Sequence, residues 1–194
     1  MPAADAPGTR RAYPRAIALD SGAALTVRLM AAADAPAILA FARSLPADDL
    51  LFLRTDITSE AVVAQWVKNL AAGRTATVIA EAAGEIAGYA SLHHHETSWQ
   101  RHLGEIRIQA GPRYRSQGLG RSLAGEVFAL ARELGLRKVV AQMTVDQKGA
   151  IATFERLGFR AEALLSDFVI DRDGRTRDLA IMSYDVEGLT DHLD

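Results

Sequence analysis

The segment Arg113-Tyr-Arg-Ser-Gln-Gly-Leu-Gly-Arg121 constrains the fold more than any other, because of what flanks it. Before it, Leu103 to Ala110 alternates in the manner of a strand, although Glu105 shares a face with Leu103. After it, Leu119, Leu123, Val127, Leu130 and Leu134 recur every three or four residues, and Gly135 stops the run. A strand therefore passes through a glycine-bearing turn into a long amphipathic helix. Gly118 and Gly120 allow a close backbone approach to a ligand. The first N–H groups of a helix have no internal acceptor, and its dipole favours an anion there. With Arg115 and Arg121 beside it, the turn reads as a phosphate cradle. The same residues also read as a glycine-rich turn with solvated arginines. Two nucleotide motifs fit poorly. The P-loop needs Lys-Ser/Thr after its last glycine, where Arg121 stands, and the dinucleotide fingerprint needs a third glycine where Leu123 stands.

The remaining segments predict a mixed α/β fold. Residues 1–23 are rich in Ala, Pro and Arg without periodicity, and read as a flexible lead-in ahead of a domain over 24–186, with a tail at 187–194. A strand is expected from Ala24, then a helix from Ala35 capped by Asp34, a loop over Pro46 to Thr58, and a helix from Ser59 to Ala72. Thr75 to Ala82 and Glu85 to Leu92 predict a hairpin around Ala83-Gly84, and His93 to Arg101 an irregular stretch. Beyond the long helix, Lys138 to Val145 predicts a strand and Gln147 to Leu157 a short helix. Two strands, about 160–170 and 177–186, flank the turn Arg172-Asp173-Gly174-Arg175. The order β-α-α-β-β-β-α-β-α-β-β argues one mixed sheet covered by helices.

Composition narrows the function. The chain has 194 residues, room for one domain. A net charge of −2 gives no electrostatic footprint for nucleic acid or an anionic membrane, so neither is expected as a partner. The absence of cysteine removes disulfides, thiolate metal sites and cysteine nucleophiles. The longest uncharged stretch, Ile86 to His95, is too short for a membrane span, and the N-terminus shows no secretory apolar core, so a cytoplasmic location is expected. His93-His94-His95 invites a metal, but adjacent strand residues point to opposite faces, and no metal is expected.

The spacing Arg115-x-x-Gly118-x-Gly120, the preceding strand with Pro112, and the later Ala150-Ile151 and Phe154-Glu-Arg-Leu-Gly-Phe159 together resemble the GNAT superfamily of acyl-CoA-dependent N-acetyltransferases over roughly residues 24–186. The resemblance implies a GNAT-like fold: a central, mostly antiparallel sheet flanked by about four helices, with the fourth and fifth strands (103–110 and 138–145) splayed apart. It implies acetyl-CoA as cosubstrate, with pantetheine along Ile108, Gln109 and Ala110. The diphosphate would lie on Ser116, Gln117, Gly118, Leu119, Gly120 and Arg121, beside Arg115. Gln147 and Phe154 complete the expected cofactor contacts. The second substrate is an amine, either a protein lysine or a small molecule, and the Glu105 spacing resembles the protein-lysine branch. Homodimers are common among similar proteins.

The chemistry requires an unprotonated amine. A lysine-like amine has a pKa of about 10.4, so near neutral pH roughly one molecule in a thousand is free base, a cost of about 4 kcal/mol. By resemblance Glu105 is the candidate base, acting directly or through water; it also reads as a structural partner of Arg107. A backbone N–H near Ala110 is placed to stabilise the oxyanion. Where many similar proteins carry a tyrosine that protonates the departing thiolate, this chain has Phe154, and Gln147 stands where many have asparagine. The thiolate then leaves unprotonated or through water, or Tyr114 or Tyr184 serves, or activity is weak. A non-catalytic acyl-CoA-binding module is the alternative class. Asp48, Asp49 and Phe52 fall in the loop that in the family overlies the acceptor.

Overall fold

The computed structural model describes residues 11–51 and 53–186. Its strands are β1 (Arg15–Ala18), β2 (Ala24–Leu29), β3 (Thr75–Ala82), β4 (Glu85–His94), β5 (Leu103–Ala110), β6 (Lys138–Thr144), β7 (Arg160–Ile170) and β8 (Thr176–Asp185). Its helices are α1 (Ala35–Ser44), α2 (Ala47–Leu51), α3 (Glu60–Ala71), α4 (Leu119–Glu133) and α5 (Lys148–Arg156). The strands form one sheet in the order β1-β2-β3-β4-β5-β6-β8-β7. Every neighbouring pair is antiparallel except β5 and β6.

The sheet separates two apolar layers. Leu119, Leu123, Val127 and Leu130 of α4 are buried against Val78, Ala90, Leu92, Ile106 and Val139 on one face. A fully buried side chain of this kind contributes about 1.5–3 kcal/mol. On the other face, Ile38 and Phe41 of α1 and Val63 and Trp66 of α3 pack on Ile79 and Tyr89. The Tyr89 ring lies edge-on to Trp66 at 4.9 Å and to Phe41 at 6.2 Å. Trp66 Nε1 donates to Thr77 Oγ1 at 3.0 Å, and Thr77 meets Ser91 Oγ at 2.9 Å, so α3 is tied to the sheet by a buried polar row.

Several expectations are corrected. The lead-in expected over 1–23 contains an edge strand: β1 pairs with β2 from Arg15↔Val27 to Ala18↔Ala24. The segment lacks periodicity because its anchor is polar rather than apolar. Glu126 of α4 is fully buried, and Arg11 Nη1 and Arg15 Nη2 approach its Oε1 to 2.7 and 2.8 Å, off the hydrogen-bond axis. Tyr13 OH donates to Glu126 Oε2 at 2.8 Å, and burial together with that carboxylate raises the phenol's pKa. Residues 1–10 and the tail 187–194 lie outside the described residues. The strands expected as fourth and fifth are thus β5 and β6.

Among the described residues there are five α-helices where about four were expected, because α2 forms within the expected loop, with Asp48 and Asp49 in its first turn, where the helix dipole favours them. The strand β4 absorbs His93 and His94, expected as irregular, since they continue the ladder at His93↔Glu105 and His94↔Gly104. Asp34 stands at the start of α1 but makes no cap bond to that helix. Its two oxygens instead accept from Arg28 Nη1 and Nη2, each at 2.7 Å.

Candidate active site

The parallel pairing of β5 with β6 is short. It runs Leu103↔Lys138, Gly104↔Val139 and Glu105↔Val140, and then ends. From Ile106 to Ala110, β5 keeps β4 on one side, with Tyr89↔Gln109 and Gly88↔Ala110, and loses its neighbour on the other. β6 stays paired with β8 to Thr144↔Leu179. The expected splay therefore opens just beyond Glu105.

The glycine-bearing turn stands at the mouth of this opening. Ser116 has φ +57° and Gly118 φ +85°, a left-handed pair that turns the backbone into α4. The first N–H of the helix to reach a carbonyl is that of Ser122, at 3.0 Å from Gly118 O, so those of Leu119, Gly120 and Arg121 face out of the helix end. The Leu119 side chain is buried in the core. Arg115 and Arg121 are each engaged by an acid from elsewhere in the chain. Arg115 pairs with Asp49 of α2, and its Nε and Nη2 donate to Ala110 O at 3.2 Å. Arg121 Nη2 donates to Asp20 Oδ1 at 2.9 Å. Gln117 Nε2 donates to Arg113 O at 2.6 Å.

Glu105 lies on the α1–α3 face of the sheet. Its neighbours Gly104 and Ile106 are buried towards α4, and strand alternation turns Glu105, Arg107 and Gln109 the other way. One carboxylate oxygen accepts from Arg107 Nε at 2.8 Å and the other from Arg54 Nη1 at 2.5 Å. The expected Arg107 partnership is present, and Arg54 adds a second guanidinium. Arg54 Nη1 also reaches Gln142 Oε1 of β6 at 3.2 Å. The Glu105 side chain is 20% exposed and that of Arg54 54%, so the pair opens to solvent on the Arg54 side. The loop bearing Arg54 is held again by Asp56, whose Oδ1 accepts from Arg172 Nη2 at 2.5 Å.

The histidines diverge as strand geometry requires. His93, in register with Glu105, shares a hydrogen bond of 2.9 Å between its Nδ1 and Thr75 Oγ1, and His94 is buried. Burial, then the charges of Arg107 and Arg54, lower the His93 pKa to about 3. An unfolded histidine titrates near 6.5, so between about pH 6.5 and 3 the unfolded chain binds the extra proton. Stability is therefore expected to fall with pH in that window, by at most about 1.4 kcal/mol per pH unit. Chemical denaturation at pH 7, 6 and 5 measures this slope, and His93→Asn is expected to flatten it.

The remaining expected positions are structural in their contacts. Phe154 is 9% exposed and its ring lies edge-on to Phe159 at 4.9 Å. Gln147 Oε1 accepts the Thr144 N–H at 3.1 Å, closing the end of β6. Tyr184 stacks on Phe128 at 4.7 Å, and Tyr114 packs against the α4-side core. Ile108 and Ala110 are half-buried on that core too. Phe52 lies outside the described residues. Sequence reasoning missed Arg54, Gln142 and Asp20. Gln142 carried a signal, a polar side chain inside the otherwise apolar run from Val139 to Met143; Arg54 and Asp20 sit in non-periodic turns and carried none.

Comparison with known proteins decides the family. The family model described as "Acetyltransferase (GNAT) family" matches residues 39–159. The chain belongs to the GNAT acetyltransferase family. It is an acetyltransferase. It is 26% identical over 162 residues to YwnH of Bacillus subtilis, provisionally named a phosphinothricin acetyltransferase, covering 81% of this chain and 97% of that one. It is also similar to the phosphinothricin acetyltransferase of Sinorhizobium meliloti, solved in complex with acetyl-CoA. That match has 25% identity and a TM-score of 0.73, over 86% of this chain and 90% of the other. The ribosomal-protein-alanine N-acetyltransferase of Brucella melitensis gives 25% identity and a TM-score of 0.71, over 82% and 98%.

Proposed function

We propose that this GNAT enzyme transfers acetyl from acetyl-CoA to the primary amine of a small molecule that also bears an anionic group. The observation that carries this reading is the meeting of two guanidiniums, Arg54 and Arg107, with one carboxylate, Glu105, beside the splay. The cluster carries an excess positive charge and opens to solvent at Arg54. An amine with a carboxylate, phosphinate or phosphonate satisfies both signs: its ammonium meets Glu105 and its anion a guanidinium. The relatives named for phosphinothricin, a small-molecule amine, support the same class.

The site fits the donor substrate as well. An extended pantetheine pairs with the free edge of β5 at Ile108 to Ala110. The diphosphate lies on the turn from Ser116 to Arg121, with Arg115 at its side. In the transfer, the amine nitrogen attacks the thioester carbonyl carbon and the C–S bond breaks. The amine proton passes to Glu105, directly or through water, and a β5 N–H near Ala110 stabilises the oxyanion. Phe154 donates no proton to the departing sulfur, so that proton comes from solvent or a tyrosine hydroxyl.

The test is thiol release from acetyl-CoA with a panel of amines. An amino acid or phosphinate-bearing amine is expected to exceed its neutral ester or amide by at least about tenfold in kcat/KM, the worth of one charge-assisted contact. Arg54→Gln is expected to erase most of that preference. Faster turnover of lysine peptides than of any small anionic amine would move the acceptor to protein.

A further inference from the structure

The turn between β1 and β2 lies on the cofactor turn, and nothing in the proposed chemistry uses it. The Asp20 N–H donates to Gln117 O at 2.9 Å, and Ser21 Oγ donates to Gln117 Oε1 at 2.7 Å. The Asp20 carboxylate accepts from Arg121 and stands over Gly118, where a Cβ would lie 2.9 Å from Oδ2. Behind it, Arg11, Tyr13 and Arg15 fasten the arm to buried Glu126, so the turn is held from both ends. An acid is thus fixed at the positive end of α4, on one of the two arginines flanking the place proposed for a diphosphate.

We propose that Asp20 tunes the affinity of the cofactor turn for the diphosphate of the acyl carrier. It neutralises Arg121 and places a like charge beside the incoming phosphates. The Asp20 and Arg121 side chains are 59% and 70% exposed. An exposed pair of this kind is weak, so arriving phosphate displaces the carboxylate from Arg121 at small cost. Asp20 then remains within reach of the bound dianion and opposes it, which favours release of spent CoA. This role rests on the placement of the diphosphate at the start of α4.

Calorimetry on the full chain tests it, with CoA and with S-acetylpantetheine, which lacks the diphosphate. Asp20→Asn keeps the size of the side chain and an acceptor for Arg121, so the turn is preserved. It is expected to lower the Kd for CoA about fivefold at low salt, the effect of one charge interaction across a few ångströms of water. The gain is expected to fade at about 0.5 M salt, as screening requires. The Kd for S-acetylpantetheine is expected to stay the same. Arg121→Gln is expected to cost more CoA affinity in the Asp20→Asn background than in the parent, because only there is the Arg121 charge not already neutralised. An unchanged or higher Kd for CoA at low salt overturns the proposal, as does an equal gain with S-acetylpantetheine. If the parent protein binds CoA no more tightly than S-acetylpantetheine, the diphosphate placement fails first and this inference with it.

Discussion

Glu105→Gln is expected to lower kcat with the best amine acceptor by about 10²-fold or more at neutral pH, while leaving the Kd for CoA unchanged. Gln is isosteric and its one carbonyl oxygen keeps one of the two guanidinium contacts, but its amide nitrogen cannot accept from the other and it cannot take the amine proton. The deficit is expected to shrink as pH rises towards the pKa of the acceptor, because more of the amine then arrives as free base. Thiol release followed from pH 7 to 9.5 measures both quantities. If a group other than Glu105 takes the amine proton, turnover stays near the parent value at every pH. A rate loss that does not depend on pH would assign Glu105 to acceptor binding rather than proton transfer. The geometry sets the terms of this test. Each oxygen of Glu105 already accepts from a guanidinium. The amine must displace one of them, and Arg54 is the more exposed and the easier to displace.

What could be read from the sequence follows from which forces leave periodic traces. Apart from the short α2, the order of strands and helices from Ala24 onward was legible because each element buries one face, and burial writes period 2 or 3.6 into the chain. The cofactor turn was legible for a different reason. Gly118 adopts φ +85° at the start of α4, a conformation that favours glycine, so the backbone requirement appears as a residue type. That β5 and β6 splay came only from the family resemblance, and the register Glu105↔Val140, which fixes where they part, was not legible in the sequence. Polar anchoring left no pattern at all. Glu126 falls on the core face of α4 among Leu123, Val127 and Leu130, and its partners lie 111 to 115 residues away at Arg15 and Arg11. Arg54 and Arg172 reach Glu105 and Asp56 across 51 and 116 residues of sequence.

The same polar anchor yields the largest expected effect on stability. Removing Arg11 and Arg15 together, as alanines, leaves the fully buried Glu126 carboxylate with only the Tyr13 hydroxyl as partner. An uncompensated buried charge costs about 3–5 kcal/mol. For a domain of this size each kcal/mol lowers Tm by roughly 2–4 °C, so a loss of about 10 °C is expected. Adding Glu126→Gln to the double variant is expected to restore most of the stability, since no ionised group is then left buried. The sign of that third substitution is decisive. If the arm is held chiefly by its strand pairing with β2, the double alanine variant loses little and Glu126→Gln adds nothing. If the carboxylate is the anchor, removing its charge rescues a protein that has already lost both arginines.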